Sequence, residues 1–298
     1  MQTTEALKRR IQSAQDLLGV VKTMKALAAT NIRQYQRAVE SLAEYYRTVE
    51  MGLQIVLRQS RETTAAGSKT GRLGAVVFGT DQGLCGQLNS LIVGHALDQM
   101  DVTGVRREDR IVIAVGMRAA ELLEDAGQKV VEVLATPGST AGITPLVQDI
   151  TMLLEDWRFR KKIQRVHIFY SEYVSGATYR PKSLVLLPVE DAWLRTLRQR
   201  KWESSTLPLF TMKWDAIFCS LIGEYLFVCI YRAFANALAS ENASRLASMQ
   251  SAEKNIEERL EELFIQFHRQ RQMIITEELL DIVSGFEALG GARDVGAA

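Results

Sequence analysis

Proline is scarce in this chain, and where it is missing matters more than where it occurs. Five are present, and none lies between Leu209 and Ser284, a stretch that is also free of glycine between Gly223 and Gly285. Nothing in the backbone chemistry there forces a helix to break. Cysteine is equally sparse. Cys85, Cys219 and Cys229 are an odd number without CxxC spacing, which argues against a disulfide framework and for a reduced, cytosolic setting. His95, His167 and His268 lie far apart, none with a neighbour at metal-ligand spacing, so no metal site is expected. A net charge of +1 supplies no global field for nucleic acid. No apolar run follows Lys8, Arg9 and Arg10, so no secretory signal is expected.

What is present is helix. Seventy-odd residues at about 1.5 Å each would reach roughly 110 Å, more than a compact core could cover, so a helix from Leu209 to Ser284 needs a partner helix. Its spacing supplies one half of the contact. Met249, Ala252, Ile256, Leu260, Leu263, Phe267 and Ile274 follow steps of three and four, with Gln270 the polar member. The opening segment, about Thr3 to Arg58, keeps the same rhythm. Leu7, Ile11, Ala14, Leu18, Val21, Ala28, Ile32, Tyr35, Val39, Leu42, Tyr46, Val49, Leu53 and Val56 form its seam, with Met24 or Lys25 filling one gap. Two long seams at opposite ends of a chain can bury each other, which predicts an antiparallel two-helix coiled coil.

Charge fits that pairing. Lys8, Arg9, Arg10, Lys22, Lys25, Arg33 and Arg37 make the first helix basic, and Glu253, Glu257, Glu258, Glu261 and Glu262 make the last acidic. The apolar run Ala216 to Ala239 invites a transmembrane reading. Its apolar residues would gain roughly 3 to 6 kcal/mol, and Glu224 and Arg232 would each cost about 2.5 to 3.5, so insertion gains nothing that helix pairing does not.

From Leu73 to about Thr206 the periodicity changes. Leu73–Phe78, Arg110–Val115, Lys129–Leu134, Arg165–Tyr170 and Ser183–Val189 read as strands, the first four separated by helix-forming segments. That alternation predicts a mostly parallel, Rossmann-like α/β domain. The last strand follows through a loop containing Gly176 and Pro181, too short for a crossover, and is expected to be antiparallel. The domain boundaries expected are a helix over 1–58, a linker over 59–71, the α/β domain over 72–206, the closing helix over 207–285 and a flexible tail over 286–298. Gly79, Gly83 and Gly86 follow the first strand as GxxxGxxG, which is neither GxGxxG nor a P-loop, and no acidic residue ends the second strand. Ser90, His95 and Asp98 share one predicted helix without a nucleophile elbow, so no catalytic set and no cofactor are expected.

Asp81-Gln82-Gly83-Leu84-Cys85-Gly86-Gln87-Leu88-Asn89 resembles the S-D-R-G-L-C-G-G-L-N motif of the gamma subunit of F-type ATP synthase. Lys22-Thr23-Met24-Lys25-Ala26-Leu27-Ala28-Ala29 is similar to that family's K-A-M-x-M-V-A-A, and Ala239-Ser240-Glu241-Asn242-Ala243-Ser244-Arg245-Leu246 to its A-S-E-x-A-A-R-M. Arg271-Gln272, Thr276-Glu277-Glu278-Leu279 and Ile282-Val283 resemble R-Q-x-x-I-T-x-E-[IL]-x-E-I-V, and Leu186-Leu187-Pro188 falls where the family carries L-L-P. The motifs come in family order and cover nearly the whole chain.

The resemblance implies a non-catalytic rotor, the central stalk, turning inside a ring of alpha and beta subunits and touching epsilon and the membrane c-ring. Ion flow would turn it, and catalysis would belong to beta. Carried over position by position, Arg271, Gln272 and Thr276 would meet a catch loop of beta, and Met24, Lys25 and Arg245 a lever segment of beta. Asp81, Gly83, Leu84, Cys85, Gly86 and Asn89 would be structural. Gln82, Gln87 and Gln250 depart from the family pattern, which suggests a divergent bacterial branch, peripheral on the cytoplasmic side of the inner membrane. Family-like residues as early as Leu7 leave no room for a transit peptide. Two other classes fit parts of the pattern: a coiled-coil scaffold with a nucleotide-binding-like domain, which would self-associate, and a doubly wound enzyme, which would bind dinucleotide.

Overall fold

In the computed structural model the described residues are 4–59, 71–202, 206 and 208–294. Most of the expected linker, and residues 295–298 of the expected tail, lie outside them. The elements in order are α1 (Thr4–Gln59), β1 (Leu73–Phe78), α2 (Leu88–Val102), β2 (Arg110–Val115), α3 (Met117–Asp125), β3 (Val130–Leu134), α4 (Ile143–Phe159), β4 (Arg165–Ser175), β5 (Thr178–Leu187), α5 (Asp191–Gln199) and α6 (Trp214–Asp294). They fall into two compact units, one made of Met1–Ala26 with Met249–Ala298 and the other of Leu27–Ser248.

In the first unit, Leu7 and Ile11 of α1 are buried with Leu260 and Leu263 of α6, flanked by Ala14, Leu18, Ile256 and Phe267. Further along α1, the Lys22 ammonium lies 3.1 Å from the Glu257 carboxylate, and Lys25 pairs with Glu253. Partner numbers fall as those of α1 rise, so the two segments are antiparallel. Burial of the seam positions drives the pairing, because each apolar side chain removed from water contributes roughly 1.5–3 kcal/mol. The ion pairs are half-exposed and add little.

The second unit is a five-stranded sheet in the order β3-β2-β1-β4-β5, parallel except for β5. β1 and β2 are too apolar for a water-facing side, and helices cover both. Ala75, Val77, Val112 and Ala114 pack against α2 and α3. Val76, Phe78, Ile113 and Val115 pack on the other face, against α4 and the Ile230 to Ala239 stretch of α6. α1 joins that face through Tyr35. It also runs antiparallel to α6 within this unit. The Asn31 side-chain amide donates to the Asn242 side-chain oxygen Oδ1 at 3.3 Å, the Tyr45 hydroxyl to Glu224 at 2.6 Å and the Trp214 indole to the Val56 backbone carbonyl at 2.9 Å.

Three expectations need correction. β4 runs on to Ser175 and β5 starts at Thr178, so only Gly176, at φ 57°, and Ala177 form the turn. Pro181 lies in strand, opposite Ser171. β5 is an edge strand, where a proline without an N–H costs no ladder bond. α5 was not anticipated, because its nine residues follow the strand with too short a run to establish a period. α6 starts at Trp214, later than 207, and its helix continues to Asp294, past 285. By length and composition α6 could cross a membrane, with mean hydropathy 1.6 in its most apolar window. Val228, Ile230, Ala233 and Phe234 of α6 are buried in protein, but only 22% of that window is buried.

Phe234 packs edge-on against Phe78 with ring centroids 4.8 Å apart, joining α6 to β1. Phe234→Ala is expected to lower the unfolding free energy of the chain by about 3–5 kcal/mol, read as a drop in the urea midpoint.

Candidate functional site

The loop after β1 is where the sequence motif, three helices and the sheet meet. It is built around hydrogen bonds that the chain makes with itself. The Asp81 carboxylate accepts from the Met117 N–H at 2.9 Å, at the start of α3, and from the Thr136 N–H and hydroxyl at 2.6 and 2.7 Å. An anionic carboxylate suits a helix N-terminus, where unpaired N–H groups carry partial positive charge. Asn89, buried at the start of α2, accepts from the Thr80 N–H at 3.1 Å and donates to the Thr80 hydroxyl at 2.8 Å. Gly116 has φ 99°, and a Cβ there would lie 2.6 Å from the Thr80 nitrogen. Only glycine allows that approach.

α6 closes the loop from outside. The Ser244 hydroxyl donates to the Cys85 carbonyl at 2.5 Å, and one turn earlier Ser240 donates to the Ser171 carbonyl of β4 at 2.9 Å. A Cβ on Gly86, at φ 55°, would touch the hydroxyls of both Ser244 and Ser248 at 3.5 Å. α6 is therefore packed directly against the loop that follows β1. Cys85 is buried, and burial pushes its thiol above the usual range, away from the reactive thiolate form. No cluster of metal-ligating side chains occurs among the described residues.

Next to this loop, Glu241 and Arg245 form a buried pair at 2.5 Å, with side chains 9% and 12% exposed. Burial raises the Glu241 carboxyl above its ordinary value, and Arg245 pulls the other way. Tyr35 of α1 is raised as well, by burial first and the Glu241 charge second.

Asp81, Cys85 and Asn89 are thus brought together, with Gly83 and Leu84 at the surface of the same loop. Leu84 is 61% exposed and held at φ 63°. Of the residues expected to meet a partner, Met24 is half-buried on α1 and Lys25 is engaged by Glu253. Arg271, Gln272 and Thr276 are exposed on one stretch of α6, and the Thr276 hydroxyl donates to the Gln272 carbonyl at 2.9 Å. Arg245 is turned inward to Glu241. Sequence reasoning missed Thr80, Thr136, Ser240 and Ser244. Ser240 and Ser244 are one helical turn apart in an alanine-rich run, a spacing that marks a face but not what it touches.

The family model described as ATP synthase matches residues 3–289. The chain belongs to that family. The ATP synthase gamma chain of Desulforamulus reducens is 28% identical over 299 residues, covering 97% of this chain and all of the relative. That of Polynucleobacter asymbioticus is 26% identical over 292 residues, with coverage of 97% and 100%. Among solved structures, a chain of the Euglena gracilis mitochondrial ATP synthase, in an OSCP/F1/c-ring assembly, superposes with a TM-score of 0.65 at 16% identity, covering 97% of this chain and 95% of that one. At that identity the likeness speaks for the fold. Like its relatives, the chain is a gamma chain, a non-catalytic subunit of the complex.

Two substitutions test this geometry. Asp81→Ala leaves the Met117 and Thr136 N–H groups without their acceptor and is expected to cost about 1–3 kcal/mol in urea unfolding. Glu241 holds its proton to higher pH in the native chain than in the unfolded one. Its contribution to stability is complete below the ordinary value of 4.5 and is lost as pH rises through the native value. A pH series of unfolding midpoints should show that decline, and Glu241→Gln should flatten it.

Proposed function

We propose that the chain is the central-stalk rotor of an F1Fo ATP synthase, coupling ion flow through a membrane c-ring to ATP synthesis or hydrolysis on beta subunits. The observation that carries this reading is the family match over residues 3–289, joined to two terminal helices whose seams bury each other in both units. In this reading the helices form one antiparallel coiled coil, with the α/β domain of residues 72–206 as its collar. A stiff two-helix rod transmits torque, and an asymmetric surface biases a bistable partner through contacts that differ between its states.

The partners are alpha, beta, epsilon and the c-ring. Arg271, Gln272 and Thr276 contact the beta catch loop, a role supported by their exposure on α6. Met24 and Lys25 face the beta lever segment. Arg245 acts there through its pairing with Glu241, a link that rotation can make or break. The complex sits peripherally on the cytoplasmic face of a bacterial inner membrane, in a divergent branch marked by Gln82, Gln87 and Gln250. A free-standing scaffold is the competing reading.

Affinity capture from membranes with subunit counting distinguishes the two. The rotor appears once per three beta subunits, whereas the scaffold appears as a self-associated species without them. Within the captured complex, Arg271→Ala combined with Gln272→Ala is expected to lower ATP turnover by tenfold or more, about 1.4 kcal/mol per decade. Unchanged turnover would remove both residues from the contact.

A further inference from the structure

The turn from α4 into β4 carries charge of one sign. From Arg158 to Arg165 the sequence runs Arg-Phe-Arg-Lys-Lys-Ile-Gln-Arg, five cations without an acidic residue. Its shape is fixed from the inside. Trp157 and Ile163 are buried, and the Ile163 N–H donates to the Trp157 carbonyl at 3.0 Å. Both side chains press on Gly74 of β1, where a Cβ would lie 2.6 Å from the Trp157 ring and 3.3 Å from Ile163. Lys162, at φ 54°, makes the left-handed bend just before the strand. With Trp157 and Ile163 inside, Arg158, Phe159, Arg160 and Lys162 are left exposed and Lys161 half-buried. Phe159 is 77% exposed. Arg160 pairs with Asp156 at 3.0 Å, whereas Arg158, Lys161 and Lys162 form no salt bridge among the described residues. The register of the sheet brings up a sixth cation. Arg72 is exposed and immediately precedes Leu73, whose partner on β4 is Arg165.

We propose that this turn docks on an anionic lipid bilayer. The helix dipole favours a basic last turn, which accounts for Arg158 but not for Lys161, Lys162 and Arg72, all of which lie outside α4. A cluster of roughly four to eight lysines and arginines attracts anionic headgroups, each cation adding its share. Phe159 decides between partners. An acidic protein segment would meet the cations and leave the ring in water, whereas a bilayer takes both, the cations among headgroups and the ring at the edge of the acyl chains. The turn lies at the N-terminal end of the parallel strands, the opposite end of the sheet from the loop after β1, so it uses none of the residues of that loop. Vesicle binding goes beyond the rotor reading and needs no beta contact, so either can fail without the other.

Co-sedimentation of the full chain with sucrose-loaded vesicles tests it. Partitioning onto phosphatidylcholine vesicles containing about a third phosphatidylglycerol should exceed that onto phosphatidylcholine alone by about tenfold or more, and should weaken as salt is raised. Arg158→Gln with Lys161→Gln and Lys162→Asn should reduce it about a hundredfold, at roughly fivefold per cation, asparagine being chosen because it tolerates the left-handed bend. The same loss of charge at the start of α1, Lys8→Gln with Arg9→Gln and Arg10→Gln, should leave partitioning within about twofold of the parent. Phe159→Ser should reduce it about tenfold at low and high salt alike, and Phe159→Trp should bind like the parent and add a blue-shifted emission on the anionic vesicles. Circular dichroism confirms the fold of each variant. Equal partitioning onto the two vesicle types, equal losses from the two triple variants, no blue shift from Phe159→Trp, displacement by millimolar inorganic phosphate, or binding to polyglutamate without binding to vesicles would each overturn the proposal.

Discussion

The burial of one helix's apolar stripe by another is the interaction on which the rest of this structure depends. α6 is too long for a domain of this size to cover, and its stripe stays in water unless a second helix of matching period lies along it. α1 is that helix. In one unit the contact is Leu7 and Ile11 with Leu260 and Leu263, and in the other it is Val49, Leu53 and Leu57 with Phe218, Leu221, Ile222 and Tyr225. Polar pairs such as Asn31 with Asn242 and Tyr45 with Glu224 fix the register. They contribute direction more than strength, since a half-exposed hydrogen bond nets only about 1 kcal/mol.

The sheet domain is attached to that pair by two kinds of contact. Apolar packing of Phe234 and its neighbours against β1 supplies most of the energy. Buried serine hydroxyls of α6, bonded to backbone carbonyls of β4 and of the loop after β1, supply position. The two act differently, because an apolar face alone can slide by a turn, while a buried hydroxyl that loses its acceptor incurs a desolvation cost. The motif loop acts here as a fastener: its Gly86 lies against Ser244 and Ser248 of α6, while Gly116, before α3, makes the close approach to Thr80.

Much of this was legible in the chain itself. The strands at Leu73–Phe78 and Arg110–Val115 are continuous apolar runs bounded by polar residues, and both ends coincide with the structure. The seam positions of α1 are buried or half-buried from Leu7 to Val56, since a period of 3.5 residues leaves no other face to bury. The hairpin between β4 and β5 was less legible, because Pro181 reads as a breaker unless its strand is known to be an edge. The site was less legible still. Asp81 stands out as a motif residue, but the groups that donate to its carboxylate, on Met117 and Thr136, are 36 and 55 residues away.

The sequence by itself determined the elements and the need for two long helices to cover each other, because periodicity, proline and glycine act over a few residues. It also carried the family, through motifs that are local strings. Only the tertiary structure decided that Ser240 and Ser244 meet carbonyls of β4 and of the loop after β1, and that Arg245 turns inward to a buried Glu241. The two serine contacts join residues 69 and 159 positions apart, and a hydroxyl carries no mark in the sequence of which distant carbonyl it will meet; the Glu241–Arg245 pair is one helical turn apart, and packing from elsewhere in the chain is what buries it.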